Sequence, residues 1–294
     1  MDIYTALGFE VIFIEKLPNV LPGFDREIVK LAERPLIKPL SVDARTGVLA
    51  EVTPGIHGVK PVAIKLIDVT TKEHVETLEV DACLVATGCE PNTKNLGLEA
   101  LGVETSNGFV QVNETMRVLT RPADQGGEVA PGLWCIGDAN GKMMLAHAAS
   151  AQGVSAVDNI ACRRHVLDHK RIPAACFTHP EIAFVGLTEE QAKTRAAKDG
   201  FALAKSVGHY RANSKVHAEG QEDEIAKIML NKETGGIIGV HIIGHHAADL
   251  IQECVNAAMA AKTTVKELSF MVHTHPTVIG VQGRCGHVIS LIRG

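Results

Sequence analysis

The strongest constraint sits in the first fifteen residues, Met1-Asp-Ile-Tyr-Thr-Ala-Leu-Gly8 followed by Phe9-Glu-Val-Ile-Phe-Ile-Glu15. They read as the end of a helix closed by a left-handed glycine cap at Gly8, then a short apolar strand, Val11 to Ile14, ending on the acidic Glu15. Helix, tight turn, strand and terminal acid make the second half of a dinucleotide-binding βαβ unit, where the acid accepts hydrogen bonds from the adenosine ribose. An acid at a strand end is also, and more commonly, a solvated turn residue. The glycine loop of such a unit lies ~20 residues before the acid. Counting back from Glu15 places it ahead of Met1, and Gly280, Gly283 and Gly286 do not have its spacing. The expectation is a chain that begins just past its phosphate loop. The opening has no basic n-region and no Arg/Ser-rich amphipathic stretch, so neither a secretory nor a transit peptide is expected in it.

Further along, Val48–Val52, Val62–Asp68 and Thr77–Asp81 alternate as antiparallel strands, separated by Pro54-Gly55 and Thr70-Thr71-Lys72. Two buried-type strands follow: Ala82–Ala86, ending in Thr87-Gly88, and Leu133–Ile136, ending in Gly137-Asp138. Small apolar residues from Met144 to Arg163 suit a helix packed closely on a sheet. After a linker near Arg171-Ile-Pro173, a strand is expected at Ile182–Gly186 and a helix after Thr188-Glu-Glu-Gln191, which has the capping-box pattern. Strands at 201–211, 224–230 and 236–243 and helices at Ala247–Ala261 and Val265–Met271 complete an α+β region.

The formal charge of −5 argues against a nucleic-acid partner, which needs a basic face. No window approaches the ~18 apolar residues of a membrane span. The seven cysteines are scattered and form no CxxC, so neither a disulfide framework nor a zinc ribbon is written here, and a reducing compartment is the simplest reading.

Four segments share one resemblance: Cys83-Leu-Val-Ala-Thr-Gly-Cys-Glu-Pro-Asn92, Trp134-Cys-Ile-Gly-Asp-Ala-Asn-Gly-Lys-Met-Met-Leu-Ala-His147, Pro173-Ala-Ala-Cys-Phe-Thr-His-Pro-Glu-Ile182 and His273-Thr-His-Pro-Thr277. In order and spacing they resemble the pyridine nucleotide–disulfide oxidoreductases, and within them the dihydrolipoyl dehydrogenases, with Asp138-Ala-Asn-Gly-Lys most similar to the plant plastid form. The resemblance implies an α/β fold with partial NAD- and FAD-binding Rossmann-like domains followed by an α+β dimerisation domain, divided at 1–92, 93–170 and 171–294. It implies FAD and NAD as cofactors, with Glu15, Val52 and Gly88 on the nicotinamide nucleotide and Asp138, Met144, Leu145, Ala146 and His147 on the flavin. Asp138 would accept from a ribityl hydroxyl, and residues 144–147 open a helix whose N-terminus carries partial positive charge. His275 would be the catalytic acid/base, supplied across a homodimer, a role that suits a group titrating near working pH. The implied activity is oxidation of dihydrolipoyl groups of 2-oxo acid dehydrogenase complexes with NAD⁺ as acceptor, and the implied compartment is the chloroplast stroma.

Two departures stand against that pattern. The carboxylate the family places five residues beyond the histidine is Gly280 here. The family's redox pair, two cysteines with four residues between them on one helix, is absent, since Cys83 and Cys89 have five between them and straddle a strand end. The chain alone is therefore expected to be weak or inactive, or to serve as a non-catalytic dimerisation partner of a full-length relative. Cys162, His165 and His169 fall at i, i+3 and i+7 on one helical face and could hold zinc, but no fourth ligand is evident and the segment ends a helix near solvent, so no metal is expected. His245-His246 with Asp249 reads as a loop or interface feature.

Overall fold

A computed structural model describes residues 2–36, 42–220, 224–256 and 264–279. The chain forms two compact units, one built from residues 1–85 and 173–294 and the other from residues 86–172.

Helix α1 (Asp2–Ala6) leads through Gly8, in the left-handed region, into β1 (Ile12–Glu15). Helix α2 (Arg26–Leu36) follows, and β2 (Asp43–Thr46) pairs parallel with β1. Helix α2 is not among the elements expected from the sequence. Its signals are Asp25, which accepts the Glu27 N–H at 3.1 Å as a cap, and the spacing of Ile28 and Ala32, both fully buried. Then β3 (Val48–Thr53), β4 (Val62–Asp68) and β5 (His74–Val80) form the expected antiparallel meander, packed on Val48, Ile64 and Leu66. The strand expected at Ala82–Ala86 is not formed: these residues join no ladder, with Leu84 71% and Val85 67% exposed. An apolar segment becomes a strand only when a neighbour supplies its hydrogen bonds.

The second unit contains two hairpins, β6 (Thr105–Ser106) with β7 (Phe109–Val110) and β8 (Arg117–Leu119) with β9 (Val129–Trp134). A 3₁₀ turn at Gly137–Asn140 and helix α3 (Ala146–Ile160) follow. Val103, Val110, Met116, Val118 and Ala156 are among its core. The helix is shorter than expected and ends before Cys162, which has φ +59°, so Cys162, His165 and His169 share no helical face.

The first unit resumes with β10 (Ala174–Cys176), β11 (Glu181–Gly186), α4 (Glu189–Asp199), β12 (Leu203–His209), α5 (Ser214–Glu219), β13 (Ile225–Asn231), β14 (Ile237–Gly244), α6 (Ala247–Glu253) and α7 (Val265–Phe270). The expected continuation of α6 to Ala261 runs into residues outside the described ones. The five strands form an antiparallel sheet in the order β10-β11-β14-β13-β12. The capping box at Thr188 and Gln191 starts α4 as expected, and Gly200 ends it in the left-handed region. Alternation assigns the two sheet faces. Ala183, Val185, Ala226, Ile228, Val240 and Ile242 pack against α6 and α7, while Ile182, Ile225 and Ile243 pack against Ile28 and Ala32 of α2. Gly239 is a glycine because a Cβ there would lie 2.2 Å from the Leu187 carbonyl oxygen.

Lys227 interrupts the apolar run Ile225–Leu230 of β13 on the α2 face and is 1% exposed. Its ammonium lies 2.8 Å from Asp25, 2.9 Å from Glu27 and 2.6 Å from Glu189. Asp25 also accepts the Glu189 N–H at 2.9 Å, so one carboxylate ties together the starts of α2 and α4. Opposite Lys227 in the ladder, His241 donates from Nε2 to the Leu187 carbonyl at 2.9 Å and stacks on Phe184. Burial pushes the His241 pKa down and keeps the ring neutral beside this cation.

Candidate functional site

The residues predicted to bind nucleotides are distributed over both units. In the first unit Glu15 ends β1, half-buried, and its Oε1 accepts the Leu17 N–H at 2.9 Å, which folds the carboxylate over its own turn. Val52 lies in β3 and is 42% exposed.

In the second unit Gly88 is exposed with φ +100°, a conformation that favours glycine. Gly137 opens the 3₁₀ turn with φ +72°, and Asp138 follows with an exposed carboxylate that has no hydrogen-bond partner among the described residues. Met144 and Leu145 lie just before α3 rather than inside it, and Ala146 and His147 form its first turn. Leu145 occupies the N-cap position without a side-chain cap hydrogen bond, at the positive end of the helix. An open helix N-terminus beside an unpartnered carboxylate offers both a donor set and an acceptor. These residues fit the ring and ribityl hydroxyls of a flavin.

Beneath the turn lies a network that sequence reasoning missed. Gln152 of α3 is fully buried, and its Oε1 accepts the Gly137 N–H at 2.7 Å and the Asn140 side-chain amide at 2.8 Å. Its Nε2 donates to Nε2 of His169 at 3.0 Å. Burial lowers the His169 pKa, and Lys142 lowers it further, which keeps the ring neutral and able to accept. The backbone of Gly137 is thereby fixed from behind while Asp138 stays open in front.

In the first unit, His275 is exposed on the segment that follows α7, joined to Pro276 by a cis peptide bond. The segment is pinned on both sides of it. His273 meets Glu253 at 2.7 Å, both side chains largely buried. Asn213 donates its side-chain amide to the Thr277 carbonyl at 2.8 Å, and Val278 is buried in the main core. Asn213 and Glu253 carried no sequence signal for this task, because each is recognisable only once chain-distant segments meet. The position of the second carboxylate, residue 280, lies outside the described residues. His245 and His246 stand in the turn between β14 and α6, their ring centroids 3.9 Å apart. Among the described residues no three histidine, cysteine or carboxylate side chains gather as a metal site.

Comparison with known proteins decides the family. The pyridine nucleotide-disulphide oxidoreductase model matches residues 2–153, and the dimerisation-domain model of the same group matches residues 172–282. The chain belongs to the pyridine nucleotide–disulphide oxidoreductase family. It is 54% identical over 278 residues to a dihydrolipoyl dehydrogenase of Synechocystis, covering 94% of this chain and 57% of that protein. It is 53% identical over the same length to the chloroplastic dihydrolipoyl dehydrogenase 2 of Arabidopsis thaliana, covering 94% and 48%. The chain thus spans about half the length of these relatives. Among solved structures, LpdA from Mycobacterium tuberculosis superposes with a TM-score of 0.83 at 24% identity, covering 98% of this chain and 58% of that one. The flavoprotein disulfide reductase RclA from Escherichia coli reaches 0.80 at 20% identity, covering 98% and 60%. These two likenesses show the fold.

Proposed function

We propose that this chain serves the dihydrolipoyl dehydrogenase reaction, the oxidation of dihydrolipoyl groups of 2-oxo acid dehydrogenase complexes with NAD⁺ as acceptor. The observation that carries the reading is the open turn at Gly137-Asp138 beside the uncapped start of α3, backed by the buried Gln152. Bound there, FAD supplies two-electron redox chemistry. The protein's own part is to hold it: Asp138 accepts from a ribityl hydroxyl, and the start of α3, from Met144 to His147, presents positive potential to the electron-rich edge of the ring. Glu15, Val52 and Gly88 are assigned to NAD on the same reading, which keeps the division at 1–92, 93–170 and 171–294.

His275 is assigned the proton. Exposed on a segment held by Asn213 and Glu253, its imidazole takes the proton of a dihydrolipoyl thiol and returns it to solvent. In this reading it acts across a homodimer, at a site in the partner copy. The stroma of the chloroplast is the assigned compartment, supported by the 53% identity to a chloroplastic relative.

The chain carries no pair of cysteines with four residues between them, so dithiol electrons have no disulfide relay within it. Alone it is weak or inactive. The second reading, a non-catalytic dimerisation partner of a full-length relative, is favoured by the five-stranded sheet and the match over residues 172–282. The test is to purify the chain, record flavin absorbance, and follow NAD⁺ reduction with dihydrolipoamide. Bound flavin with little turnover is expected, and robust turnover refutes the inactive reading. Co-purification with the tagged Synechocystis relative separates the second reading from the first.

A further inference from the structure

The network behind the turn at Gly137–Asn140 ends on a titratable ring, and main-chain groups at its other end decide what that ring must do. Asn140 is 4% exposed, and its amide is oriented by the backbone: Oδ1 accepts the Lys142 N–H at 3.0 Å, and Nδ2 donates to the Cys135 carbonyl at 3.3 Å. Gln152 is oriented in the same way. A backbone N–H only donates, so the atom of Gln152 that meets Gly137 at 2.7 Å is Oε1, which also takes the Asn140 amide at 2.8 Å. The Nε2 of Gln152 is thereby turned toward His169, 3.0 Å from its Nε2. That ring nitrogen has to accept, so the network is complete only while it carries no proton.

The segment that carries the ring is tied to α3. Asn159 donates its amide to the His165 carbonyl at 2.7 Å and accepts the His165 N–H at 3.2 Å, and Ser155 donates to the same carbonyl at 3.0 Å. Three residues beyond the ring, Ile172 is buried. The charges that face His169 are Lys142, from the segment between the turn and α3, and Asp168 beside it in the chain, itself engaged by Arg171 at 3.2 Å. Burial and then Lys142 disfavour the charged ring. They outweigh a hydrogen bond to the Leu167 backbone and the Asp168 charge, so the pKa lies below its ordinary 6.5.

We propose that His169 is a positioning residue: while neutral it holds the Gly137-Asp138 turn in its ligand-binding shape through the amide of Gln152, and taking up a proton releases the turn. A proton on Nε2 sets two donors against each other across 3.0 Å. Turning the Gln152 amide over relieves that pair but brings a donor up to the Gly137 N–H and the Asn140 amide, at a side chain that is fully buried. If the ring swings out instead, the Nε2 of Gln152 is left buried without an acceptor, and its oxygen is no longer aimed from both ends. The inference takes its ligand from the flavin reading of the turn, but the link from His169 to Gly137 is measured without flavin.

The experiment titrates the full, isotope-labelled chain by NMR from about pH 8 to about pH 5, first without flavin. Expected is a Gly137 amide signal that moves with the same midpoint as the His169 ring, below 6.5. FAD is then added and its retention followed by fluorescence over the same range. Retention weakens by roughly 10-fold as the ring charges, and by linkage bound FAD moves the His169 midpoint to lower pH. His169→Gln puts an uncharged acceptor near the Nε2 position and should hold FAD equally at both ends of the range. His169→Lys, a donor throughout, should hold it weakly at every pH. A merely structural role predicts loss in both variants and no coupled titration. Three outcomes overturn the proposal: a Gly137 signal that does not follow the ring, a His169 midpoint unmoved by bound FAD, or a pH dependence of retention that survives His169→Gln and so belongs to His147 or another group. A Gly137 signal that follows the ring in a chain that binds no FAD at any pH supports the proposal and refutes the flavin reading of the turn.

Discussion

Replacing Lys227 by methionine tests the account of how α2 is held on the sheet. The ammonium is 1% exposed and lies within 2.9 Å of three carboxylates. Methionine preserves most of the stem's volume, so the loss is that of the charge. Asp25, 2% exposed, keeps only its two backbone N–H donors and faces Glu27 and Glu189 without a buried cation. Removing one partner of a buried ion pair costs about 3–5 kcal/mol because the other charge stays behind. Lys205 provides the contrast. It touches Glu189 at 3.0 Å but is 48% exposed, and exposed pairs contribute about 0–1 kcal/mol. Urea unfolding followed by far-UV circular dichroism should show a much lower midpoint for Lys227→Met, with little change for Lys205→Met. Adding Asp25→Asn to Lys227→Met should recover part of the loss. A Lys227→Met midpoint within ~1 kcal/mol of the parent, or equal losses for the two lysines, refutes the reasoning. The same cluster sets acid stability. Contacts with Lys193 and then Lys227 bring the Glu189 pKa down from its ordinary 4.5 to about 2, so its contribution is full above about 4.5 and is lost as pH falls through about 2.

Glu224 behaves oppositely. Burial raises its pKa from 4.5 to about 7, although it accepts the His245 N–H at 3.0 Å. The folded state then binds the proton more tightly, so the carboxylate's penalty is present above about pH 7 and is relieved as pH falls toward 4.5. Glu224→Gln should raise stability at pH 8 more than at pH 5, by up to about 2–3 kcal/mol, followed by thermal melting, and an equal gain at both pH values counts against this. Gly239→Ala should cost about 1–3 kcal/mol through the clash with Leu187, measured by thermal melting. Gln152→Ala strands the Gly137 and Asn140 donors and should cost about 1–3 kcal/mol, with weaker flavin retention, read through Trp134 fluorescence and flavin absorbance. Asn213→Ala should speed amide exchange around residues 275–278 while leaving β13 protected.

Local chemistry was the legible part of this chain. The Thr188 capping box, the alternation over 48–80, and the glycines at 8, 88 and 137 each encode their own geometry within a few residues. Glu15 at the end of β1 and Gly137-Asp138 at the 3₁₀ turn are local in the same way. What stayed hidden depends on partners far along the chain: Gln152 on Gly137 is 15 residues away, Glu253 on His273 is 20, and Asn213 on Thr277 is 64. The failed strand at 82–86 is the converse case, where composition fits a ladder that a second segment must complete. Lys227 shows how a mismatch can be informative, since a lysine within Ile-Ala-Lys-Ile-Met-Leu requires a buried counter-charge that only the fold identifies as Asp25.

The hydrogen bond from Lys227 to Asp25 spans 202 positions, and the first unit is drawn from both ends of the polypeptide. On a ribosome the early stretch through Val85 emerges long before the strands on which α2 must lie, whereas residues 86–172 are contiguous and can settle as soon as they are clear of the exit tunnel. Ile28 and Ala32 therefore stay uncovered until Ile182, Ile225 and Ile243 have been made, and the docking of the α2 helix is a high-contact-order event.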